Sequence, residues 1–193
     1  MDLTEGTLSQ KKNRSKQMML WFGIGSLIMS FAGLTSAILV SRRREDWMSD
    51  FELPQAFLIS CGLMLISSVT FIMAKKALKG NNRSVSTVLL LVTFGLGIAF
   101  IISQYAGFNQ IVASGYYFTG AASNVTMSFI YVIAFVHILH VVVGLISLLV
   151  VIYNHFKQKY TATEMLGMEL SATFWHFVDI LWLFLFLFLT YLV

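Results

Sequence analysis

Charge is scarce in this chain. Only 11% of its 193 residues are Asp, Glu, Lys or Arg, where a soluble domain carries roughly a quarter. That excludes an ordinary solvated globular surface. Proline occurs once, as Pro54, and cysteine once, as Cys61. A single cysteine excludes an internal disulfide, and its place inside an apolar run reads as a small buried thiol. Pro54 falls at an expected first helical turn, where its missing N–H costs nothing. Period-two alternation is missing from the apolar runs, which excludes a membrane β-barrel. There is no low-complexity linker, second domain or clear repeat, so residues 1–193 read as one transmembrane domain.

What the chain has in abundance is apolar length. Hydrophobic residues make up 58% of it, and the mean hydropathy is +0.79. Five runs reach the roughly 20 residues needed to cross a bilayer as a helix. They are Gln17–Val40, Pro54–Ala74, Val85–Gln104, Met127–Tyr153 and Ala172–Val193. The predicted fold class is an all-α integral membrane protein, a bundle of five transmembrane helices. The first run is too long for a signal-peptide core and lacks a cleavage site, so it is expected to be retained.

The basic residues predict the orientation. The N-terminal tail, the second–third connection and the fourth–fifth connection share one side and hold ten of the 13 Lys and Arg residues. The other side holds only Arg42, Arg43 and Arg44, beside Glu45, Asp46, Asp50 and Glu52. The positive-inside rule then puts the N-terminus inside and the C-terminus outside. The net charge of +4 reports topology, not nucleic-acid binding.

The uncharged segment Tyr105–Thr126 reads as an outer loop at the interface, its aromatics at headgroup level; a docking surface is the alternative. Ser26, Ser30, Gly33 and Ala37 recur at i, i+4, i+7 and i+11. Such a stripe of small residues lets helices approach closely in lipid, so it is expected to be a packing seam, against another span or a partner. Gly95, Gly97 and Ala99 repeat the theme in the third run. The Leu- and Phe-rich stretch Leu181–Leu189 reads as lipid contact or a packing ridge.

The last third of the chain holds ionisable groups at membrane depth, which are costly and usually face a bundle interior. His137 and His140 share a face of the fourth run. Thr161 and Glu164 fit a capping box, so the fifth helix is expected to begin ahead of its membrane run. On that helix Glu169, His176 and Asp179 fall within roughly 80° of one another at about 100° per residue. A short connection makes the two helices antiparallel neighbours, so a shared polar seam is expected, with His137 or His140 approaching Glu169, His176 or Asp179. Metal binding, haem ligation, proton relay and a satisfied interhelical network are all open to such residues. The spacing fits zincins poorly, and two histidines on one helix cannot grip a haem from both faces. A paired interhelical network is the reading the residues favour.

The same residues resemble subunit III of the haem–copper oxidases, the cytochrome c and quinol oxidases. That family carries a phrase close to F-H-G-L-H-V, here Val136-His137-Ile138-Leu139-His140-Val141. Its G-F-E-A-x-x-W-Y-W-H-F-V-D-V-V-W-L-F-L reads here Gly167-Met-Glu169-Leu-Ser-Ala-Thr-Phe-Trp175-His176-Phe-Val-Asp179-Ile-Leu-Trp182-Leu-Phe-Leu. The register holds without a gap, and five spans match the shorter bacterial form. Three departures stand out. The family's buried glutamate on the first shared span is replaced around Gly25-Ser26-Leu27. Its Glu-Tyr pair is Gln104-Tyr105, and its outer Asp-Gly is Ser123-Asn124.

The resemblance implies a non-catalytic accessory subunit of a proton-pumping respiratory oxidase in a bacterial plasma (inner) membrane. Haem and copper would lie in the partner subunit I, and none in this chain. Other oxidase subunits and phospholipids would be its partners. In the family, lipids are held in a cleft between two groups of helices, and proton uptake is supported. No catalytic, cofactor-binding or metal-binding residue is assigned here. Trp175 and Trp182 are expected as lipid or interface contacts. The alternatives are a stand-alone membrane enzyme or transporter using the His, Glu and Asp groups, and a nitric-oxide-reductase accessory subunit.

Overall fold

The computed structural model describes residues 7–45, 47–48, 51, 53–120, 124–161 and 164–192. Asp46, Asp50, Glu52, Ser123, Ala162, Thr163 and Val193 lie outside the described residues. Five helices follow in order: α1 Leu8–Ser41, α2 Gln55–Lys79, α3 Arg83–Ala113, α4 Val125–Phe156 and α5 Leu166–Leu192. All five are long and apolar enough to cross a membrane.

The ends of the helices are set by short polar side chains. Thr7 caps α1, with its hydroxyl on Gln10 N and the Gln10 side chain back on Thr7 N, a reciprocal capping box. Asn82 caps α3 and Asn124 caps α4 through their side-chain oxygens. Asn124, the first residue of an Asn-Val-Thr sequon, therefore serves as a helix cap. Between α2 and α3 the chain turns in three residues, with Asn81 at φ 61°. Asparagine tolerates that left-handed conformation better than most residues.

Two boundaries differ from the sequence expectation. Helix α3 runs on to Ala113, through the first part of the segment predicted as a loop. Nothing between Tyr105 and Ala113 breaks a helix, and this extra length is packed. Gly107 lies against Phe57, Ile111 is buried, and Phe108 stacks on Tyr131 at 5.2 Å. The second difference is at α5. The Thr161 hydroxyl does accept from Glu164 N at 3.1 Å, but Thr161 N also donates to Glu164 O. The helix starts at Leu166, ahead of the membrane run at Ala172 as expected, but not at Thr161 as a capping box there would have it.

Helices α2 and α3 form the tightest pair. Helix α5 is central, touching α1, α2 and α4, while α1 leans only on α4 and α5. Ile24, Phe31, Thr35 and Ile38 are the buried face of α1. Ser26, Ser30, Gly33 and Ala37 lie on the other side, away from that face. A Cβ on Gly33 would meet nothing within 4 Å. The small stripe thus packs against no other helix of the described chain.

Candidate functional site

The polar groups of the bundle gather where α5 faces α2. Ser60, Ser67 and Ser68 lie on α2 at i, i+7 and i+8, and α5 sets Trp182, Trp175 and His176 opposite them. Trp175 Nε1 donates to Ser67 Oγ at 3.0 Å, and Trp182 Nε1 donates to Ser60 Oγ at 2.9 Å. His176 Nδ1 meets Ser68 Oγ at 2.5 Å. At the basic end of the same interface Lys79 Nζ lies 4.0 Å from Glu169 Oε1. Four contacts therefore run down one helix pair, from an ion pair at the rim to tryptophan–serine bonds in the interior.

Helix α3 joins through Gln104. Its Nε2 donates to Ser60 Oγ at 2.8 Å, and the residue is fully buried. Ser103 donates to Ala56 O, and Thr70 pairs with Thr93 at 2.8 Å. Lipid offers no competing donors or acceptors, so such bonds are made between helices.

The histidines of α4 are used differently. His137 is wholly buried in an aromatic box. Its ring stacks on Trp182 at 4.8 Å and meets Phe31 and Phe100 edge-on at 6.3 and 5.8 Å. Neither ring nitrogen has a hydrogen-bond partner within the described chain. His140 Nδ1 lies 2.7 Å from Val136 O, one turn back on its own helix.

Of the five residues predicted to form one seam, three turn toward α2. Glu169 meets Lys79 and His176 meets Ser68. Asp179 is 2% exposed and neighbours Ser68, but no hydrogen bond to either carboxyl oxygen meets the geometry. The pairing expected between spans four and five is not the one made: no hydrogen bond or ion pair joins His137 or His140 to Glu169, His176 or Asp179 among the described residues. The reason is angular. One face of α5 carries Glu169, His176 and Asp179, and packing turns it toward α2, while Trp182 fills the space beside His137. Helices α4 and α5 meet instead through small groups. Ser147 donates to Ser171 at 3.0 Å, and Gly144 lies under the Trp175 ring.

Trp175 and Trp182 also differ from expectation. Both are 1% exposed and sit inside the bundle, not at a lipid surface. Trp175 fits because two glycines flank it. A Cβ on Gly97 would lie 2.8 Å from Trp175 Cη2, and one on Gly144 would lie 3.0 Å from Cε3. Sequence reasoning did not select Ser60, Ser67, Ser68 or Thr93. Isolated hydroxyls in an apolar run carry little signal, since each can bond its own helix, as Ser60 does to Phe57 O at 2.6 Å. The available signal was their spacing opposite two tryptophans that need acceptors.

Among the described residues no group of three or more His, Cys, Asp or Glu side chains is gathered so as to hold a metal ion. The arrangement is suited to fixing helices against one another.

The family model described as "Cytochrome c oxidase subunit III" matches residues 46–193, which takes in α2 to α5 and the whole serine–tryptophan interface. The chain belongs to the cytochrome c oxidase subunit III family. Among curated relatives named "Cytochrome c oxidase subunit 3", that of Drosophila melanogaster is 36% identical over 137 residues, 71% of this chain and 49% of the relative. That of Aedes aegypti is 35% identical over 137 residues, with the same two shares. That of Spodoptera frugiperda is 33% identical over 137 residues, 71% of this chain and 87% of the relative. The chain spans about half the length of the Aedes and Drosophila relatives it matches. Helix α1 lies ahead of the residues matched to the subunit III family. The match does include Gln104, where the resemblance leads one to expect glutamate. The amide gives a hydrogen to Ser60 without burying a charge, while its Oε1 has no hydrogen-bond partner among the described residues.

Proposed function

We propose that the chain is a non-catalytic accessory subunit III of a proton-pumping haem–copper terminal oxidase. It stabilises subunit I, holds phospholipid and supports proton uptake, while haem and copper reside in subunit I. The setting is a bacterial plasma membrane, on the likeness to the five-span form. The observation that carries this reading is the family match spanning α2 to α5. The interior of that match supports it, because its histidines and tryptophans are engaged in packing and helix-to-helix bonds.

The test is purification in mild detergent through a tag on this chain, with a visible spectrum and identification of partners. The expected result is a haem-bearing partner in the preparation and no Soret band in the chain once separated. One equivalent of metal retained by the separated chain, and lost in His140→Ala, would overturn the accessory reading in favour of a stand-alone metalloenzyme.

A further inference from the structure

One histidine stands apart from the α2–α5 interface. His155 lies two residues beyond the apolar run Met127–Tyr153, in the last turn of α4 at the basic end of the bundle. It is 4% exposed. Its ring reaches α3, where Nε2 lies 2.9 Å from Thr87 Oγ1. The Thr87 hydroxyl gives its one hydrogen to Arg83 O at 2.9 Å. Nε2 must therefore carry the ring hydrogen and donate to Thr87, which leaves Nδ1 of the neutral ring as a bare lone pair. Nδ1 is buried and has no hydrogen-bond partner among the described residues.

Arg83 ties this pair to the α4–α5 connection. Its guanidinium donates to Tyr160 O at 2.5 Å, and the Tyr160 ring lies against Gly167 at the start of α5. The connection needs such a hold. Gln158 sits at φ 56°, a left-handed backbone that residues with a Cβ adopt reluctantly.

A second proton on His155 upsets this arrangement in two ways. It puts a hydrogen on Nδ1, where no acceptor faces it, and an unmet buried donor bears the full cost of its desolvation. It also sets a positive ring beside Arg83, the charged group that acts on it. No carboxylate offsets the new charge. Among the described residues no ion pair joins the ring to Asp or Glu, and the acids at this end, Glu164 and Glu169, stand around a cavity with Lys16, Lys79 and Lys159. On its own element, Lys157 is turned onto the Tyr153 ring.

We propose that His155, Thr87 and Arg83 form an acid-sensitive latch. With the ring neutral, Arg83 fastens the α4–α5 connection to the start of α3, and protonation of His155 releases it. The neutral ring is the bonded form, while a ring freed by opening takes up a proton in the ordinary imidazole range, about 6.5. The latch is therefore fully closed above that range and loosens as the pH falls through and below it. It is a property of the helix bundle and is independent of the role proposed above.

The test is hydrogen–deuterium exchange on the full chain in its complex, at about pH 7.5 and about pH 5, with each rate divided by the intrinsic rate at that pH. The peptide spanning residues 157–161 should lose about tenfold in protection at the lower pH, the change that one pKa unit between closed and open forms gives. His155→Gln keeps an N–H where Nε2 stands and does not titrate, so its protection should be equal at both pH values. Arg83→Gln keeps a donor for Tyr160 O without the charge and should shrink the response. Protection around Met64, buried in α2, should not change. The same acid loss in His155→Gln as in the unaltered chain, no loss in the unaltered chain, or a loss shared by the Met64 region would each overturn the latch. If His155→Gln fails to assemble, Arg83→Gln decides, and an undiminished response there would overturn it.

Discussion

Ser60 saturates its hydroxyl. It donates to Phe57 O and accepts from Trp182 Nε1 and Gln104 Nε2, which uses its one donor and both lone pairs. Removing it orphans two buried N–H groups at once. Ser60→Ala should therefore cost about 1–3 kcal/mol, more than the average of about 0.6 for one interhelical bond in a membrane. A thermal-unfolding series on the detergent-solubilised complex reads this directly, and an unshifted midpoint would mean the bonds contribute nothing. His137 makes the opposite case. Its nitrogens touch no partner in the described chain, and its ring is held by Trp182, Phe31 and Phe100. His137→Phe keeps a flat ring in that box and should cost less than about 1.5 kcal/mol, the range for near-isosteric core swaps. Failure of this variant to assemble would show that the imidazole nitrogens matter.

At the scale of the element, glycines decide how near the helices come. Gly97 of α3 carries Trp175 across it, and an added Cβ would also lie 2.7 Å from Leu145 Cδ2. Leu145 and Trp175 are both packed in the core, so neither moves without displacing others. Gly97→Val should destabilise by about 1–3 kcal/mol through overpacking. Gly95, two residues earlier, has nothing within 4 Å of an added Cβ, and Gly95→Ala should leave the melting temperature unchanged or slightly raised. If both substitutions behaved alike, α3 would not pack in this register. The Lys79–Glu169 pair should matter less. Both side chains are largely open to solvent, and exposed pairs contribute about 0–1 kcal/mol.

For the whole molecule, the distribution of basic residues is the controlling quantity. Ten of 13 lie on one side of the five runs, which predicts an inside N-terminus. Reporter fusions at Gly80 and after the last residue should report opposite sides of the membrane. The same side reported by both fusions would be incompatible with the three crossings between them, and a cytoplasmic C-terminus with Gly80 outside would invert the predicted orientation. Helix α1 is the least embraced of the five, resting on α4 and α5 alone. Its outward stripe of small residues faces away from the bundle.

The five crossings were legible in the sequence because continuous apolar length is itself the requirement for spanning a bilayer. The family phrase around Trp175, His176, Asp179 and Trp182 was legible because those side chains are rare at membrane depth. Which way the side chains point was not. Apolar residues surround every helix, and lipid is as apolar as the bundle interior, so hydropathy does not separate the packed face from the lipid face. Only tertiary packing turned Trp175 and Trp182 inward to the α2 serines and set His176 on Ser68. It also closed aromatic rings around His137, extended α3 under Phe57, and left Ser26, Ser30, Gly33 and Ala37 facing out. Each of these depends on a partner many residues away, where a hydroxyl or a missing Cβ makes room for a ring.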